Sequence, residues 1–322
     1  MKPEIRHLVP KCGLLLVDGE HAAYRSYYVF PHMSYNGKPT GLIFGFLNLF
    51  RTALRRYNPF ITVICWGGKR KDLFRRELSS VYKASRDSEE PPVGLYEQID
   101  DLKLIIDRLG FVQIRGERLE ADDVIAILSM QASFKGSASN PWEVYILSGD
   151  KDLLQLVSSN VKVIAPTGKE EDEIYTVKRI KEEYGLSDPT LLADVAALAG
   201  DRGDGVEGIR GIGGKTALKL IQDYGSIFTW VGEHKLSMDD LDGLPNRVAK
   251  RSVEICDKVF SSWDLVKLPP PWLKEKMWHE ERSILDQFKF ATSRERSSVN
   301  LEAAIRMFID CGFNKISATD FG

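Results

Sequence analysis

Five short, continuous apolar runs punctuate the first half of the chain: residues 13–17, 61–66, 111–114, 143–148 and 161–165. They lack the polar alternation of a half-exposed strand, so they predict strands buried on both faces of a parallel sheet. Between them, apolar positions recur with helical spacing over 20–29, 41–56, 95–109, 119–133 and 151–158. Strand and helix in alternation predict an α/β fold with a mostly parallel central sheet flanked by helices. A charged, proline-containing stretch from Lys69 to Val93 interrupts the pattern. A segment of that length inside a compact domain is usually a functional loop or a disordered one.

From about Thr176 the strand pattern stops. Thr176 to Gly185 reads as a helix with a Thr cap and a Gly stop, and Asp188 to Ala199 as a second, Asp-capped helix with proline next. A glycine-rich hairpin follows (Gly200 to Gly214), then a helix from Lys215 to Tyr224. Pro269-Pro270-Pro271 ends the helix that reaches Phe260 and leads into a less regular tail, where 299–310 is the clearest helix. The expected division is 1–175 for the α/β core, 176–265 for an all-α region, and 266–322 for a tail packing on the core.

Composition adds class rather than detail. A chain of 322 residues with net charge −2 suits one large α/β domain plus a smaller one. Cys12, Cys65, Cys256 and Cys311 show no CxxC spacing, which argues against a zinc site or a disulfide framework and for buried thiols in a reducing compartment. Neither a secretory signal in Met1 to Lys11 nor a membrane-spanning run is evident, so a cytoplasmic protein is expected, with no membrane partner. The five histidines are dispersed and are assigned no role.

Acids gather where apolar runs end or helices begin: Asp18, then Glu120-Ala-Asp122-Asp123, then Asp150-Lys-Asp152, then Asp201-x-x-Asp204. Carboxylates at the carboxyl ends of parallel strands point into the crevice where open α/β sheets bind ligands. Any one block is explained as well by helix capping. Four blocks together would repel one another unless cations neutralise them, and all-oxygen ligation suits Mg²⁺ or Mn²⁺. Between Gly68 and Asp87 stand seven bases (Lys69, Arg70, Lys71, Arg75, Arg76, Lys83, Arg86) against three acids. A basic rim around an acidic centre is what a phosphodiester substrate requires.

The turn Gly208-Ile-Arg-Gly211-Ile-Gly213-Gly214-Lys215-Thr216 matches neither the dinucleotide motif, which must follow a strand, nor the NTPase loop, which needs glycine where Ile209 stands. It fits a tight turn opening a helix, whose amides can approach a phosphate, with Lys215 and Lys219 adding contacts one turn apart. Such a hairpin grips a DNA backbone without reading bases.

These motifs together resemble the 5′-nuclease family: the phage 5′ nucleases, the 5′-nuclease domain of bacterial DNA polymerase I, and the eukaryotic flap endonucleases. The resemblance is dense over about residues 13 to 225 and runs in the family's order. It rests on Leu-Val-Asp18-Gly, Phe74-Arg75, Tyr82-Lys83-Ala-Ser-Arg86, Glu120-Ala-Asp-Asp123, Ser148-Gly-Asp150-Lys-Asp152, Gly200-Asp201-x-x-Asp204 and the Gly-Ile-Gly-Gly-Lys215 turn. It implies a PIN-like core with a helical arch at about 69–98 and a helix-turn-helix that binds duplex DNA, with a K⁺ ion held by turn carbonyls. Acids matching Asp18, Glu120 and Asp122 would serve a first Mg²⁺, and those matching Asp150, Asp152 and Asp204 a second, with Asp123 and Asp201 as further acids of the set. Lys83 and Arg86 would face the scissile phosphate. Tyr82 would stack near a terminal base. Arg75, Gly211, Gly213, Gly214, Lys215 and Lys219 would complete the DNA contacts.

The implied activity is a two-metal, structure-specific 5′ nuclease, a 5′-3′ exonuclease or flap endonuclease, acting as a monomer in DNA replication or repair beside a separate DNA polymerase. One position departs from the family. Its second metal-binding aspartate falls on Gly68, and no acid lies between Phe60 and Lys71. The Asn that often follows the last aspartate is Gly205. A structure-selective DNA-binding protein with weakened catalysis, or a nuclease acting on RNA in RNA/DNA hybrids, stand as the alternatives.

Overall fold

The computed structural model describes residues 12–88, 90–133, 136–137, 140–229, 252–293, 301–313 and 316–321. The reading of Met1 to Lys11 as free of a signal falls outside them, as does His234. Six strands make the main sheet: β1 (Cys12–Asp18), β2 (Pro59–Trp66), β3 (Val112–Arg115), β4 (Val144–Leu147), β5 (Val161–Ala165) and β6 (Glu173–Tyr175). Their order is β6-β5-β4-β1-β2-β3, parallel throughout except for the antiparallel β5–β6 pair.

The apolar runs are continuous because both faces of the sheet are covered. Leu14, Leu16, Val63, Cys65 and Ile146 point to one side, against α4 (Ala121–Ser133). Leu15, Val17, Ile64, Trp66 and Leu147 point to the other, against α1 (Gly19–Val29) and α2 (Gly41–Tyr57). Each side chain of this size withdrawn from water contributes about 1.5–3 kcal/mol. The two covering helices pack so closely that a Cβ on Gly45 would lie 2.8 Å from the Ser26 Cβ. The chain leaves α2 through Asn58 in the left-handed region (φ 39°) and turns into β2.

Strand order fixes the site. After β1 the chain builds outward through β2 and β3, and later outward on the other side through β4 and β5. The carboxyl ends of β1 and β4, paired in register from Leu14–Val144 to Val17–Leu147, therefore flank the point where the winding reverses. Ligands of open α/β sheets bind at that crevice.

Three expectations need correction. The 151–158 helix is only a 3₁₀ segment, Asp152–Leu156, which ends where Val157 becomes extended (φ −60°, ψ 131°), and the Gln155 side-chain amide donates to the carbonyls of Asp152 and Val266. The segment expected to arch over the site holds single turns only, Arg70–Asp72, Arg75–Leu78 and Ala84–Asp87, ahead of α3 (Leu95–Arg108). Buried Leu73, Phe74 and Tyr82 pin it to the body, and Lys83 adopts φ 52°, which no helix continues through. The edge strand β6 went unforeseen, since Glu173-Ile-Tyr is too short and polar to stand out.

The second region is helical as expected. Thr176 caps α5 (Val177–Tyr184) by accepting the Arg179 amide, and Gly185 ends it with φ 69°. Pro189–Leu191 forms a 3₁₀ turn before α6 (Leu192–Ala199); α7 (Gly214–Tyr224) and α8 (Ser252–Val266) follow. In the tail, α9 (Trp278–Ser293) and α10 (Leu301–Asp310) pack on the core, with Phe288 against the α4 side and Phe308, Phe313 and Phe321 against the α2 side. Arg51 and Arg55 hold Asp320. Cys65 and Cys311 are free thiols, and no helix among the described residues is long and apolar enough to cross a membrane.

Candidate metal and nucleic-acid site

Asp18 ends β1 and starts α1. One carboxyl oxygen accepts the His21 amide at 3.0 Å as an N-cap, and the other accepts the Ser148 hydroxyl at 2.8 Å across the β1–β4 seam. Ser148 also accepts the Asp150 amide at 3.1 Å, and Asp150 accepts the Asp152 amide at 2.9 Å. This chain of turn bonds aims the acids of the β4 loop at the crevice. Glu120 and Asp122 reach it from the start of α4. Asp204 arrives from the glycine-rich hairpin, in a turn that Asp201 organises by accepting the amides of Gly203 at 2.7 Å and Asp204 at 3.2 Å.

Lys83 and Arg86 lie among these acids. The Lys83 ammonium pairs with Glu120 and stands 3.4 Å from Asp204, while Arg86 pairs with Asp204. The Lys83 backbone amide donates to the Asp204 carbonyl at 2.9 Å, which fastens the basic segment to the hairpin. Glu120, Asp122, Asp150, Asp152, Asp204 and Lys83 thus share one crevice, which adjoins a cavity of about 780 Å³ that Asp18 lines.

Electrostatics divide the acids into two kinds. Burial would raise Glu120, but Lys83 and Arg75 outweigh it and hold the carboxyl at about 2. Burial would lower Lys83, yet Glu120, Tyr82 and Asp204 push it well above its ordinary value. In the others burial prevails over whatever compensation they have. Burial, then Asp18, Asp150 and Glu120, drives Asp122 well up. Asp18 is raised by burial, with the His21 amide offsetting part, and Asp204 is raised by burial against the pull of Lys83 and Arg86. Asp152 keeps solvent contact, yet desolvation of its carboxyl, followed by Asp150, Asp204 and Asp201, pushes it to about 7.

No three of these side chains form a ready coordination group among the described residues. Lys83, Arg75 and Arg86 hold Glu120 and Asp204 in ion pairs instead. The donor chemistry nevertheless fits a hard divalent cation: every donor is a carboxylate oxygen, and the raised acids carry negative charge that a cation would relieve.

The raised Asp152 predicts a pH dependence. Between its ordinary value of 3.8 and about 7, the folded protein retains a proton that the unfolded chain has released. Stability of the metal-free protein therefore falls as pH rises through that window and levels off above it. Glu120 acts in the opposite sense, but only below its ordinary value of 4.5. Melting curves should show Mg²⁺ raising Tm more at pH 8 than at pH 5.5; an equal shift at both would remove Asp152 from the account.

Three assigned residues are turned to protein partners: Arg75 and Tyr82 line the crevice but brace its acids, and Asp123 lies behind it. Asp123 is 0% exposed and grips Arg75, itself 3% exposed, through two bonds, with 2.8 Å from Nη2 to Oδ1. Asp123 also accepts the Glu120 amide at 2.9 Å, so it braces the helix start rather than facing a metal. The Arg75 guanidinium additionally donates to Leu265 and Glu120, so four of its five N–H groups are turned to protein partners. Tyr82, 3% exposed and packed on Val206 and Leu265, donates its hydroxyl to Glu120 at 2.6 Å; its ring is buried and its hydroxyl orients an acid.

Gly68 is confined by backbone. A Cβ there would meet the Glu117 carbonyl oxygen at 1.9 Å, and its amide donates to Leu119 at 2.8 Å. Gly68→Asp is therefore expected to cost about 1–3 kcal/mol or more and to add no ligand. Unchanged urea stability with tighter Mn²⁺ binding would refute this.

The hairpin offers its backbone. Gly211 (φ 92°), Gly213 and Gly214 are exposed, and a Cβ on any of them would touch nothing within 4 Å. Gly213 caps α7 without a side-chain bond, leaving the first amides to an anion. Lys215 is exposed at that start, while Lys219 forms a surface pair with Asp223 at 2.7 Å. Glu20, which drew no attention in the sequence because a first-turn acid is ordinary, borders the same cavity as Asp18.

The fold and this crevice define an α/β core with carboxylates gathered at its switch point, joined to a small helical region. Comparison with known proteins agrees: the family described as 5′-3′ exonuclease, N-terminal resolvase-like domain, matches residues 13–185, and 5′-3′ exonuclease, C-terminal SAM fold, matches 187–269. The chain belongs to the 5′-3′ exonuclease family. It is 37% identical over 215 residues to a 5′-3′ exonuclease of Aquifex aeolicus, covering 66% of this chain and 70% of that one. It is 36% identical over 218 residues to a thermostable DNA polymerase I of Thermus filiformis, covering 68% of this chain and 24% of that polypeptide. The chain thus spans about a quarter of the polymerase's length. T5 5′-exonuclease with bound zinc shares the fold (TM-score 0.67, 19% identity, 87% of this chain and 99% of that one). The catalytic core of Rad2 in complex with DNA substrate does so more loosely (TM-score 0.52, 15% identity, 96% and 90%).

Proposed function

We propose that the chain is a divalent-metal-dependent 5′ nuclease that hydrolyses DNA phosphodiesters near junctions of single strand and duplex, in replication or repair. The observation that carries this reading is the convergence of Asp18, Glu120, Asp122, Asp150, Asp152 and Asp204 with Lys83 and Arg86 at the sheet's switch point. Asp18, Glu120 and Asp122 would hold one Mg²⁺, and Asp150, Asp152 and Asp204 the other. Bound there, the cations supply an activated water and neutralise charge on the leaving oxygen. Lys83 and Arg86 would neutralise charge developing on the phosphate. Tyr82 and Ser148 orient Glu120 and Asp18 through the hydrogen bonds they make. The exposed amides around Gly213 and the Lys215 ammonium would seat the duplex backbone without reading bases.

The binding-only alternative suggested by Gly68 is not favoured, since the family is one of exonucleases and six acids still reach the crevice. Product analysis on 5′-labelled and 3′-labelled flap DNA with Mg²⁺ tests the proposal. Short 5′-labelled products ending in a 3′ hydroxyl, abolished by chelation, are expected. Cleavage insensitive to chelation, or none with Mg²⁺ or Mn²⁺, would overturn it.

A further inference from the structure

We propose that Glu20 supplies, from the first turn of α1, the metal-facing carboxylate that the end of β2 lacks. The proposal rests on the reading of the crevice as a divalent-metal site. β2 ends at Trp66 and runs into Gly67 and Gly68, and no acid stands from Phe60 to Lys71. The Glu117 carbonyl bars a side chain at Gly68. β1 and β2 are neighbours, with Asp18 opposite Cys65, so the turn that begins α1 lies beside the residues that follow β2. Glu20 closes that gap: its Oε1 accepts the Gly67 amide at 3.3 Å, and a Cβ on Gly67 would lie 3.3 Å from the same oxygen. The carboxylate therefore occupies the space that an acidic side chain at the end of β2 would enter.

Its surroundings call for a cation. Glu20 borders the cavity that Asp18, Glu120 and Asp122 also line, and it forms no salt bridge among the described residues. Of these four carboxylates only Glu120 is ion-paired among the described residues, and the hydrogen bond Glu20 accepts comes from a backbone amide, so a cation between them would lower the cost of gathering them.

The competing role is a latch that merely fixes Gly67. Glu20→Gln separates the two, because the amide oxygen still accepts from Gly67 while the charge is lost. Mn²⁺ binding is measured by calorimetry on the full chain without DNA. Wild type is expected to take two equivalents; Glu20→Gln should lose one or weaken it at least about tenfold, leaving the equivalent that Asp152→Asn removes. If Gln disturbs the helix start, Glu20→Asp keeps the charge, withdraws it by one methylene and should weaken the same equivalent. Stoichiometry and affinities within twofold of wild type in Glu20→Gln would reduce Glu20 to a latch and overturn the inference alone. A wild-type chain that binds no Mn²⁺ would overturn the metal-site reading with it.

Discussion

Replacing Asp150 and Asp152 together by asparagine is expected to lower cleavage of a 5′-flap strand in Mg²⁺ by at least about a hundredfold, the scale of removing groups that act on the transition state. Asparagine keeps the side-chain oxygen through which Asp150 accepts the Asp152 amide, so the turn should survive. What disappears is the charge facing Asp204 and Asp201. Because Asp152 is pushed up to about 7 by desolvation of its carboxyl, then by Asp150, Asp204 and Asp201, the variant should also melt higher than wild type in metal-free buffer at pH 8. Activity and stability thus move in opposite directions, as expected where a site stores repulsion for function. Single-turnover cleavage and a metal-free melting curve measure the two. Undiminished cleavage would remove these acids from the chemistry.

Arg75→Met is expected to destabilise the fold by about 3–5 kcal/mol, because it strands a buried anion. Asp123 is 0% exposed, and its two oxygens face the Arg75 guanidinium. The loss also strips the Leu265 carbonyl of the Arg75 Nε–H it accepts at 2.8 Å and removes a cation lying 5.6 Å from the Trp272 ring. Arg75→Met with Asp123→Leu should recover most of the stability, since apolar residues of similar volume often replace a buried pair without penalty. Urea unfolding of the single and double variants checks both. Intact stability with weakened DNA binding would return Arg75 to the DNA-contacting surface, where the sequence had placed it.

That misplacement shows where sequence reading stops. The sheet was legible because Leu14 to Val17 and Val144 to Leu147 are buried on both faces, and burial of that kind leaves an uninterrupted apolar run. Asp18 and Asp150 were legible because strand ends at a switch point are predictable positions. Arg75, Tyr82 and Asp123 were not, because residue type does not reveal whether a base meets a phosphate outside or an acid within. Asp123 shares a helical face with Glu120 by spacing, yet its carboxylate turns back onto the Glu120 amide. Glu20 was invisible for the converse reason: its significance lies in its distance from Gly67, 47 residues away in sequence.

The acids of the crevice come from β1, the start of α4, the loop after β4 and the hairpin before α7, and the last of these is tied in by the bond from the Lys83 amide to the Asp204 carbonyl. No local segment carries the centre. A nascent chain with the sheet formed but the hairpin undocked holds an incomplete set of carboxylates and no seat for duplex. Folding itself is thereby the safety catch on the proposed nuclease chemistry, released only when distant parts of the polypeptide have met.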